Sequence, residues 1–267
     1  MVTAPPNPIV PQNRLLRALS PTTGPQVRLM LDPVALRLKE TLITRDAPIT
    51  AVYFPVDAVV SVVSTFADGS TREVATIGNE GLVGVPRFLQ ADRMPFTAVV
   101  QVPGAALRME AAHFDLAVRT VGSDFVEVLA RYTHAWCTQL SQHAVCHGHH
   151  RVVQRCARWL LQTQDRVGRA TFPLTQEFLA VMLGVRRPSV TAVARHLQQA
   201  GLIQYQRGLI HVLDRPGLEA ASCECYGVIR REMDRLLGPA HIEGLTGRKR
   251  RPDTVRSSTD TRERSRV

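Results

Sequence analysis

The stretch between residues 174 and 213 constrains the fold most, because its periodicity changes from helix to strand within a short length of chain. Thr175 is a suitable N-cap for a first helix that Gly184 ends. Pro188 stands in the first turn of a second helix that Gly201 stops. The inward positions of the two helices are apolar: Phe178, Leu179, Met182 and Leu183, then Val190, Val193, Ala194 and Leu197. Residues 202–206 and 209–213 alternate around a tight turn, so the stretch predicts a helix-turn-helix followed by a two-stranded wing.

Positive charge is concentrated in the same half of the chain. Residues 148–267 hold 21 Lys and Arg against 11 Asp and Glu, whereas residues 1–147 hold 12 of each, so the net charge of +10 lies in the C-terminal part. Half of that excess falls in residues 148–243 and half in the tail 244–267. A basic folded segment indicates a polyanionic partner more strongly than a basic tail does, because charge runs are usually solvated.

The exposed end of the helix-turn-helix carries residue types that suit duplex DNA. Arg186 and Arg187 begin the second helix, where a guanidinium can donate two hydrogen bonds to guanine in the major groove. A helix N-terminus also favours a phosphate. The predicted DNA-binding residues are Thr175, Gln176, Arg186, Arg187, Ser189, Thr191, Arg195 and Arg207. The alternative, a helical hairpin with a solvated arginine rim, is disfavoured by the wing, the charge and the spacing together.

Short segments rich in Val, Ile, Thr and Phe fill the N-terminal half. They cover residues 38–43, 51–54, 59–66, 73–77 and 97–102 and are separated by turn residues. This pattern predicts an antiparallel β-roll or jelly roll. Asn13 is expected to cap a short helix that Pro21 stops. The fold class is therefore α+β, with expected units at 1–13 (disordered), 14–121 (β-roll), 122–148 (long helix and hinge), 149–243 (winged helix) and 244–267 (basic disordered tail).

A long helix is predicted to leave the β-roll from Ser123 or Asp124. It carries one apolar stripe, formed by Phe125, Leu129, Tyr132, Trp136 and Leu140. The stripe can pack on its own domain or on a second copy of the chain. Gly148 predicts a hinge within residues 146–150, before a further helix at 151–166. A final helix is expected over residues 217–237.

Two sets of residues resemble those of the Crp/Fnr transcription regulators. Residues 174–190 (LTQEFLAVMLGVRRPSV) are similar to that family's winged helix, and residues 77–84 (IGNEGLVG) with 98–104 (AVVQVPG) are similar to its cyclic-nucleotide-binding-type sensor domain. The likeness spans residues 14–237. It implies a homodimer joined along the long helix, with the apolar stripe as the interface, and an effector in the β-roll that repositions the DNA-binding heads. It further implies duplex DNA and RNA polymerase as partners.

The resemblance places Arg187 at the family's groove-reading position. Pro188 stands where the family usually has an acidic base reader, and Ala192 where some members have another arginine, so the operator need not be theirs. Members that bind cyclic AMP have a Glu after the glycine corresponding to Gly84, and an Arg-Ser/Thr-Ala triplet for the phosphate. The matching positions here are Val85 and residues 96–98 (FTA).

Each missing charge-assisted hydrogen bond removes about 1.5 to 3 kcal/mol. Cyclic AMP is therefore not expected as the ligand, and the effector stays unknown. Arg87 or Arg93 is available from a neighbouring loop as a substitute for the absent arginine.

Histidines and cysteines between residues 143 and 150 suggest a metal or haem site. His143 and His147 share a helical face near Cys146, with His149 and His150 beyond. A polar hinge with surface histidines is the favoured alternative, because no second pair at ligand spacing accompanies them. Cys223 and Cys225 lie two apart on the predicted final helix and are expected to point to different sides. We therefore expect no cofactor and no metal.

A cupin-like metal enzyme with an appended nucleic-acid-binding domain is the competing function. That chemistry needs histidines and a carboxylate inside the barrel, and residues 38–109 contain no histidine. The sequence also has no nucleophile elbow, P-loop or HExxH motif, so we expect no catalytic residues. No apolar run reaches about 18 residues, and none of the five cysteines precedes Cys137. These features predict a cytoplasmic protein with reduced thiols and no membrane contact.

Overall fold

The computed structural model describes residues 13–239. Its N-terminal elements are α1 (Arg14–Arg17), α2 (Thr23–Arg28), β1 (Asp32–Leu36), β2 (Thr41–Ile43), β3 (Ala51–Pro55), β4 (Val59–Thr65), β5 (Thr71–Ile77), α3 (Val85–Phe88), β6 (Thr97–Val102), β7 (Gly104–Glu110), α4 (Ala111–Thr120) and α5 (Ser123–His149). The C-terminal unit contains α6 (Val152–Val167), β8 (Thr171–Pro173), α7 (Gln176–Leu183), α8 (Arg187–Gln199), β9 (Ile203–Gln206), β10 (Leu209–Val212), α9 (Arg215–Ala221) and α10 (Cys225–Leu237). The predicted N-terminal disorder before Asn13 and the predicted basic tail lie outside the described residues.

The N-terminal half is an antiparallel β-roll of two sheets, ordered β1-β7-β3 and β2-β6-β4-β5. The side chains between them are mostly Val, Ile, Leu and Ala, which pack well on pleated surfaces. The α1 helix begins as expected, because the Asn13 side chain accepts a hydrogen bond from the Leu16 N–H. The predicted α+β fold class with its β-roll is therefore confirmed.

Two strands of the β-roll are absent from the sequence prediction. The β7 strand (GAALRME) is rich in good helix formers, yet it pairs with both β1 and β3. The β1 strand contains Pro33, which is tolerated because β1 lies at the edge of its sheet. Tertiary pairing overrides local propensity in both segments.

The long helix α5 runs without a break through Gly148 to His149. The chain becomes extended at His150 (ψ 148°) and Arg151 (ψ 151°), and α6 begins at Val152. The break therefore falls at His150, the last residue of the segment 146–150 in which a hinge was expected, and not at Gly148. Gly148 does not adopt a positive φ, and a Cβ there would meet open space, so nothing at this position requires glycine.

The winged helix-turn-helix forms as predicted. Gly184 ends α7 in the left-handed conformation (φ 64°), and α8 starts three residues later with Pro188 in its first turn. The β9–β10 hairpin turns at Arg207 (φ 51°) and Gly208 (φ 77°), which is a two-residue type I′ turn. The β8 strand joins this hairpin to make a three-stranded sheet.

The predicted final helix is wrong, because two helices occupy its place. The α9 helix ends at Ala221, Ser222 is extended (ψ 168°), and α10 begins at Cys225. Cys223 therefore lies in a connection rather than on a helix, and the helical argument that separated it from Cys225 does not apply.

The apolar core of the C-terminal unit continues into the β-roll. Val59, Val63 and Val102 of the β-roll pack in one cluster with Trp159 and Leu183. The α10 helix packs along α5, and α7 packs on β5. Across residues 13–239, no helix has the length and apolar character needed to span a membrane.

Candidate nucleic-acid interface

Helix α7 is capped so that its first turn faces outward. The Thr175 Oγ1 accepts a hydrogen bond from the Phe178 N–H at 3.1 Å, which satisfies one of the unpaired N–H groups of that helix end. Thr175 is exposed and Gln176 half-buried, so both stay accessible at the N-terminus of α7. This geometry suits a phosphate contact.

The recognition side of α8 is open to solvent. Val190, Ala194 and Leu197 are buried against the rest of the unit. The opposite side exposes the other predicted positions, which are Arg186, Arg187, Ser189, Thr191 and Arg195. The Thr191 Oγ1 lies 3.5 Å from Gln176 Oε1, so the first turns of α7 and α8 adjoin. The helix-turn-helix therefore brings seven of the eight predicted DNA-binding residues onto one accessible surface.

The wing places Arg207, the eighth predicted residue, at an exposed tip. Two residues that the sequence analysis did not single out hold this wing in place. The Tyr205 O–H donates to Leu174 O at 3.0 Å, and the Tyr205 N–H donates to Gln198 Oε1 at 2.8 Å. The sequence signal for them is weak, because a half-buried Tyr on a strand and an exposed Gln on a helix occur in many other roles.

The four arginines of this surface form no ion pairs with the carboxylates in the described part of the chain. Over residues 13–239, the guanidinium groups of Arg186, Arg187, Arg195 and Arg207 form no ion pair with a carboxylate. Their positive charge is therefore uncompensated on the surface that a polyanion would meet.

The long helix requires a correction to the predicted dimer interface. Phe125, Leu129 and Tyr132 are fully buried against the β-roll of the same chain, and Trp136 and Leu140 are packed against it as well. The stripe faces its own core, because an amphipathic helix buries its widest apolar side there first. Phe125, Leu129 and Tyr132 are therefore not free to meet a second copy, whereas Trp136 and Leu140 are half-buried. The opposite side of α5 is exposed instead, at Ala130, His134, Cys137, Ser141 and Ala144.

A buried ion pair joins the β-roll to the C-terminal unit. Arg166 of α6 lies 2.8 Å from Glu80, and both side chains are only 6% exposed. The same guanidinium donates to Thr76 Oγ1 at 2.5 Å and to Gln139 Oε1 of α5 at 3.1 Å. A Cβ at Gly78 would overlap the Arg166 side chain, so glycine is needed there. We call this set the interdomain ion pair.

Glu73 of β5 makes a second polar contact between the two halves. The Trp159 Nε1–H of α6 donates to its Oε1 at 3.2 Å, and the Ser61 O–H donates to its Oε2 at 3.2 Å. Burial raises the pKa of Glu73 to about 7, although the nearby positive charges of Arg158 and Arg166 oppose the shift. This carboxyl therefore titrates near neutral pH.

The β-roll contains a cavity of about 260 Å³. Its lining is apolar, with Val62, Ile77, Val85, Met94 and Phe96 among the side chains, and Trp136 of α5 closes one side. The Trp136 Nε1 is buried and has no hydrogen-bond partner within the described part of the chain. Arg93 is the cation on its lining, whereas Arg87 is engaged by Asp115. Among the lining residues, a cyclic phosphate would find one arginine and no acidic partner for a ribose.

The residues that surround Cys146 at the end of α5 differ from those considered in the sequence. His143 is buried, and desolvation lowers its pKa well below the usual value. The His147 Nδ1 lies 2.9 Å from the His143 carbonyl in its own helix. Neither joins Cys146, which instead contacts Cys223 and neighbours His150 and Cys225. The sequence expectation that Cys223 and Cys225 point apart is therefore wrong.

Comparisons with known proteins agree with this architecture. Residues 33–120 match the family model of the cyclic nucleotide-binding domain, and residues 154–221 match that of the Crp-like helix-turn-helix domain. No curated protein matches the sequence at a significant level.

Solved structures of two regulators are similar to this chain. One is TTHB099, a CRP-family transcriptional regulator from Thermus thermophilus, with 20% identity and a TM-score of 0.60 over 72% of this chain and 96% of that one. Another is FixK2 from Bradyrhizobium japonicum, with 16% identity and a TM-score of 0.62 over 72% of this chain and 98% of that one. At these identities the likeness concerns the fold. Together with the two matching domain models, in the order sensor then helix-turn-helix, it shows that the chain belongs to the Crp/Fnr family of transcription regulators.

Proposed function

We propose that this regulator is a cytoplasmic homodimer that reads a palindromic operator through α8 and is controlled by a small molecule in the β-roll. The observation that carries the proposal is the exposed tip of the helix-turn-helix, where the arginines of α8 and the wing have no acidic partner among residues 13–239. RNA polymerase is the further partner that we propose. The proposal gives the chain no catalytic step, so the cupin-like alternative is not adopted.

The roles at the interface follow from position. Arg186 and Arg187 begin α8 and are directed to base edges in the major groove. Thr175 and Gln176 hold a phosphate at the N-terminus of α7, and Arg207 meets the backbone from the wing. The remaining predicted residues, Ser189, Thr191 and Arg195, contact bases or phosphates along the same side of α8.

We place the dimer interface on the exposed side of α5. Ala130, Cys137 and Ala144 repeat every seven residues, as do His134 and Ser141, which is the spacing of a two-helix coiled coil. Small residues at such positions let two helices approach closely. Two Cys137 thiols would then face each other across the twofold axis.

This interface is tested by mild oxidation with diamide. The wild-type protein should form a covalent dimer, and Cys137→Ser should not. A Cys137→Ser variant carrying Arg119→Cys, an exposed site on α4, serves as the control and should stay monomeric on a denaturing gel. Absence of a wild-type crosslink, or an equal crosslink in the control, would contradict the placement.

We propose that the effector is largely apolar and supplies a hydrogen-bond acceptor to Trp136. The cavity lining and the unpartnered Nε1 support this choice. Native mass spectrometry of the purified protein, with and without added cyclic AMP, tests it. Trp136→Phe keeps an aromatic ring and removes the donor, so it should weaken binding of any retained ligand about tenfold. Stable binding of cyclic AMP in the β-roll would overturn this choice.

Selection of bound sequences from random duplex DNA tests the central proposal. The selected sites should be palindromes with half-sites about 34 Å apart. Arg187→Ala should cost about 1 to 3 kcal/mol at the selected site, roughly five- to 150-fold in affinity, and relax one base position. The matched control is Arg119→Ala, which removes the same exposed charge far from the interface. If wild-type protein enriches no sequence, the proposed function is wrong.

A further inference from the structure

Four side chains with metal-binding chemistry meet where α5 reaches the C-terminal unit. Cys146 lies in the last turn of α5, His150 follows that helix, Cys223 lies between α9 and α10, and Cys225 begins α10. Their ligand atoms all lie within 4.8 Å of one another. The Cys146 and Cys223 Sγ atoms are 3.5 Å apart, and the Cys225 Sγ is 3.5 Å from the His150 Nδ1. We call this set the Cys3His cluster.

We propose that the Cys3His cluster is a binding site for one Zn²⁺ ion that joins α5 to the C-terminal unit. Zinc bound by thiolates and imidazole is tetrahedral, with Zn–S near roughly 2.3 Å and Zn–N near roughly 2.0 Å, so neighbouring ligand atoms stand about 3.6 to 3.8 Å apart. The two measured separations of 3.5 Å are close to that edge length. All the ligand atoms lie within 4.8 Å of one another, so a bound ion would draw the wider-spaced ones to this edge length by side-chain rotation.

The surroundings of the cluster are those of a metal centre. The His150 Nε2 lies 3.1 Å from Glu224 Oε2, which turns the Nδ1 toward the sulfurs in the carboxylate–histidine–metal arrangement. The Gln142 Nε2–H donates to the Cys225 Sγ at 3.1 Å. Both contacts orient ligand atoms and favour their electron-rich forms.

The charge balance also fits thiolates. Arg155 and Arg158 of α6 act electrostatically on the Cys146 sulfur, so a negatively charged site is compensated. The hydrogen bond from Cys223 lowers the pKa of the Cys146 thiol, and the same shared proton raises the pKa of Cys223. By contrast, the isolated Cys156 in the apolar core has its pKa raised to about 12 by burial. Cys156 therefore stands apart from the other three buried cysteines, whose sulfur atoms lie close to one another and to His150.

The donor set favours zinc over other groups. Three soft thiolates and one imidazole, all from the protein, make a closed structural site of the zinc type. An iron–sulfur cluster would hold its cysteine sulfurs farther apart, because they bind different iron atoms. Cys146, Cys223 and Cys225 are at most 3% exposed, so the ion would be shielded from water.

The position of the site gives the ion a mechanical role. Cys146 belongs to α5, and Cys223 and Cys225 belong to the α9–α10 junction, with the chain break at His150 and Arg151 between α5 and α6. A bound ion therefore fixes the end of the long helix to the unit that carries α8. Loss of the ion would release this connection.

Metal analysis of the full-length protein tests the proposal without any DNA. Protein purified under reducing conditions, loaded with Zn²⁺ and desalted should retain one zinc per chain by inductively coupled plasma mass spectrometry. Cobalt substitution should give the sulfur-to-cobalt charge-transfer absorption and the intense visible bands of tetrahedral coordination. Because neither readout involves an operator, the result is independent of the proposed function.

Ligand variants and matched controls make the assignment specific. Cys146→Ser, Cys225→Ser and His150→Ala should lose the retained zinc and the cobalt spectrum. Cys137→Ser on the exposed side of α5 and Cys156→Ser in the apolar core should keep both. If a ligand variant does not fold, Glu224→Gln replaces it, since this exposed change leaves every ligand in place and should weaken zinc affinity about 10- to 100-fold.

Two results of these metal measurements would overturn the zinc site. One is wild-type protein that retains no zinc after loading, with intact thiols by mass spectrometry. The other is unchanged zinc content and cobalt spectrum in Cys146→Ser and His150→Ala. A Cys146–Cys223 disulfide in protein purified without oxygen would also refute it, because that bond removes two ligands.

Discussion

The interdomain ion pair offers the sharpest test of how the β-roll is held to the C-terminal unit. Arg166 lies 2.8 Å from Glu80, both side chains are 6% exposed, and the guanidinium has further acceptors in Thr76 and Gln139. Replacing one member leaves the other charge buried without its partner, which typically costs about 3 to 5 kcal/mol. We therefore expect Glu80→Gln and Arg166→Met each to lower the free energy of unfolding by about that amount.

The double variant isolates the interaction energy of the ion pair from the other effects of the two substitutions. Glu80→Gln with Arg166→Met removes both charges, so the desolvation cost disappears together with the attraction. Its loss of stability should be smaller than the sum of the two single losses by about 2 kcal/mol or more, which is the coupling energy of the cycle. The assay is equilibrium urea unfolding at neutral pH, followed by tryptophan fluorescence and by circular dichroism to detect separate unfolding of the two halves.

A surface pair provides the reference. Arg235 and Glu232 of α10 form an ion pair at 2.7 Å in which Arg235 is 62% exposed. Arg235→Met should cost less than about 0.5 kcal/mol, as exposed helix pairs do. If Glu80→Gln costs no more than Arg235→Met, or if the double variant is additive, the buried pair does not couple the two halves and our reasoning fails.

Three further predictions concern other contacts of the molecule. Burial raises the folded-state pKa of Glu73 from 4.5 to about 7, so its contribution to stability is fully present below pH 4.5 and is lost as the pH rises through 7. Glu73→Gln should therefore remove about 3 kcal/mol of pH-dependent unfolding free energy across that interval, and an unchanged pH profile would contradict the assignment. Arg207→Asn keeps a residue that tolerates the left-handed turn and removes the wing charge, so the slope of log affinity against log salt should fall by about one without loss of base preference; a changed operator sequence would instead make Arg207 a base reader. Thr175→Ala should cost about 1 kcal/mol of stability by loss of the N-cap, measured by urea unfolding, and Thr175→Ser should restore it.

The winged helix-turn-helix could be predicted because local chemistry specifies it. Thr175 caps α7, Gly184 adopts the left-handed turn that only glycine enters freely, and Gly208 closes the hairpin. Each of these signals acts within a few residues, so the sequence contains it in full. The strand β7 lacks such a signal, since its Ala and Leu residues become strand only through pairing on both sides.

Contacts between distant segments could not be predicted in the same way. Cys146 and Cys223 are 77 positions apart and meet because α9 and α10 are separate helices. Helical spacing showed that Tyr132 lies on the apolar side of α5, but it could not show that the β-roll of the same chain already covers it. Periodicity defines which side is buried, whereas topology decides what buries it.

The arrangement of α5 links these internal contacts to the spacing of an operator. If two chains join on the exposed side of α5, the contacts of α5 with the β-roll and the C-terminal unit determine how far each α8 lies from the twofold axis. Both copies of α8 can enter half-sites about 34 Å apart only when this distance matches the half-site spacing. Substituting Arg166 or a ligand of the Cys3His cluster leaves the surface of α8 unchanged, because none of those residues belongs to that surface. Affinity for the full palindrome should therefore fall more than affinity for a single half-site, and an equal fall at both would mean that the released contacts shape the recognition surface itself.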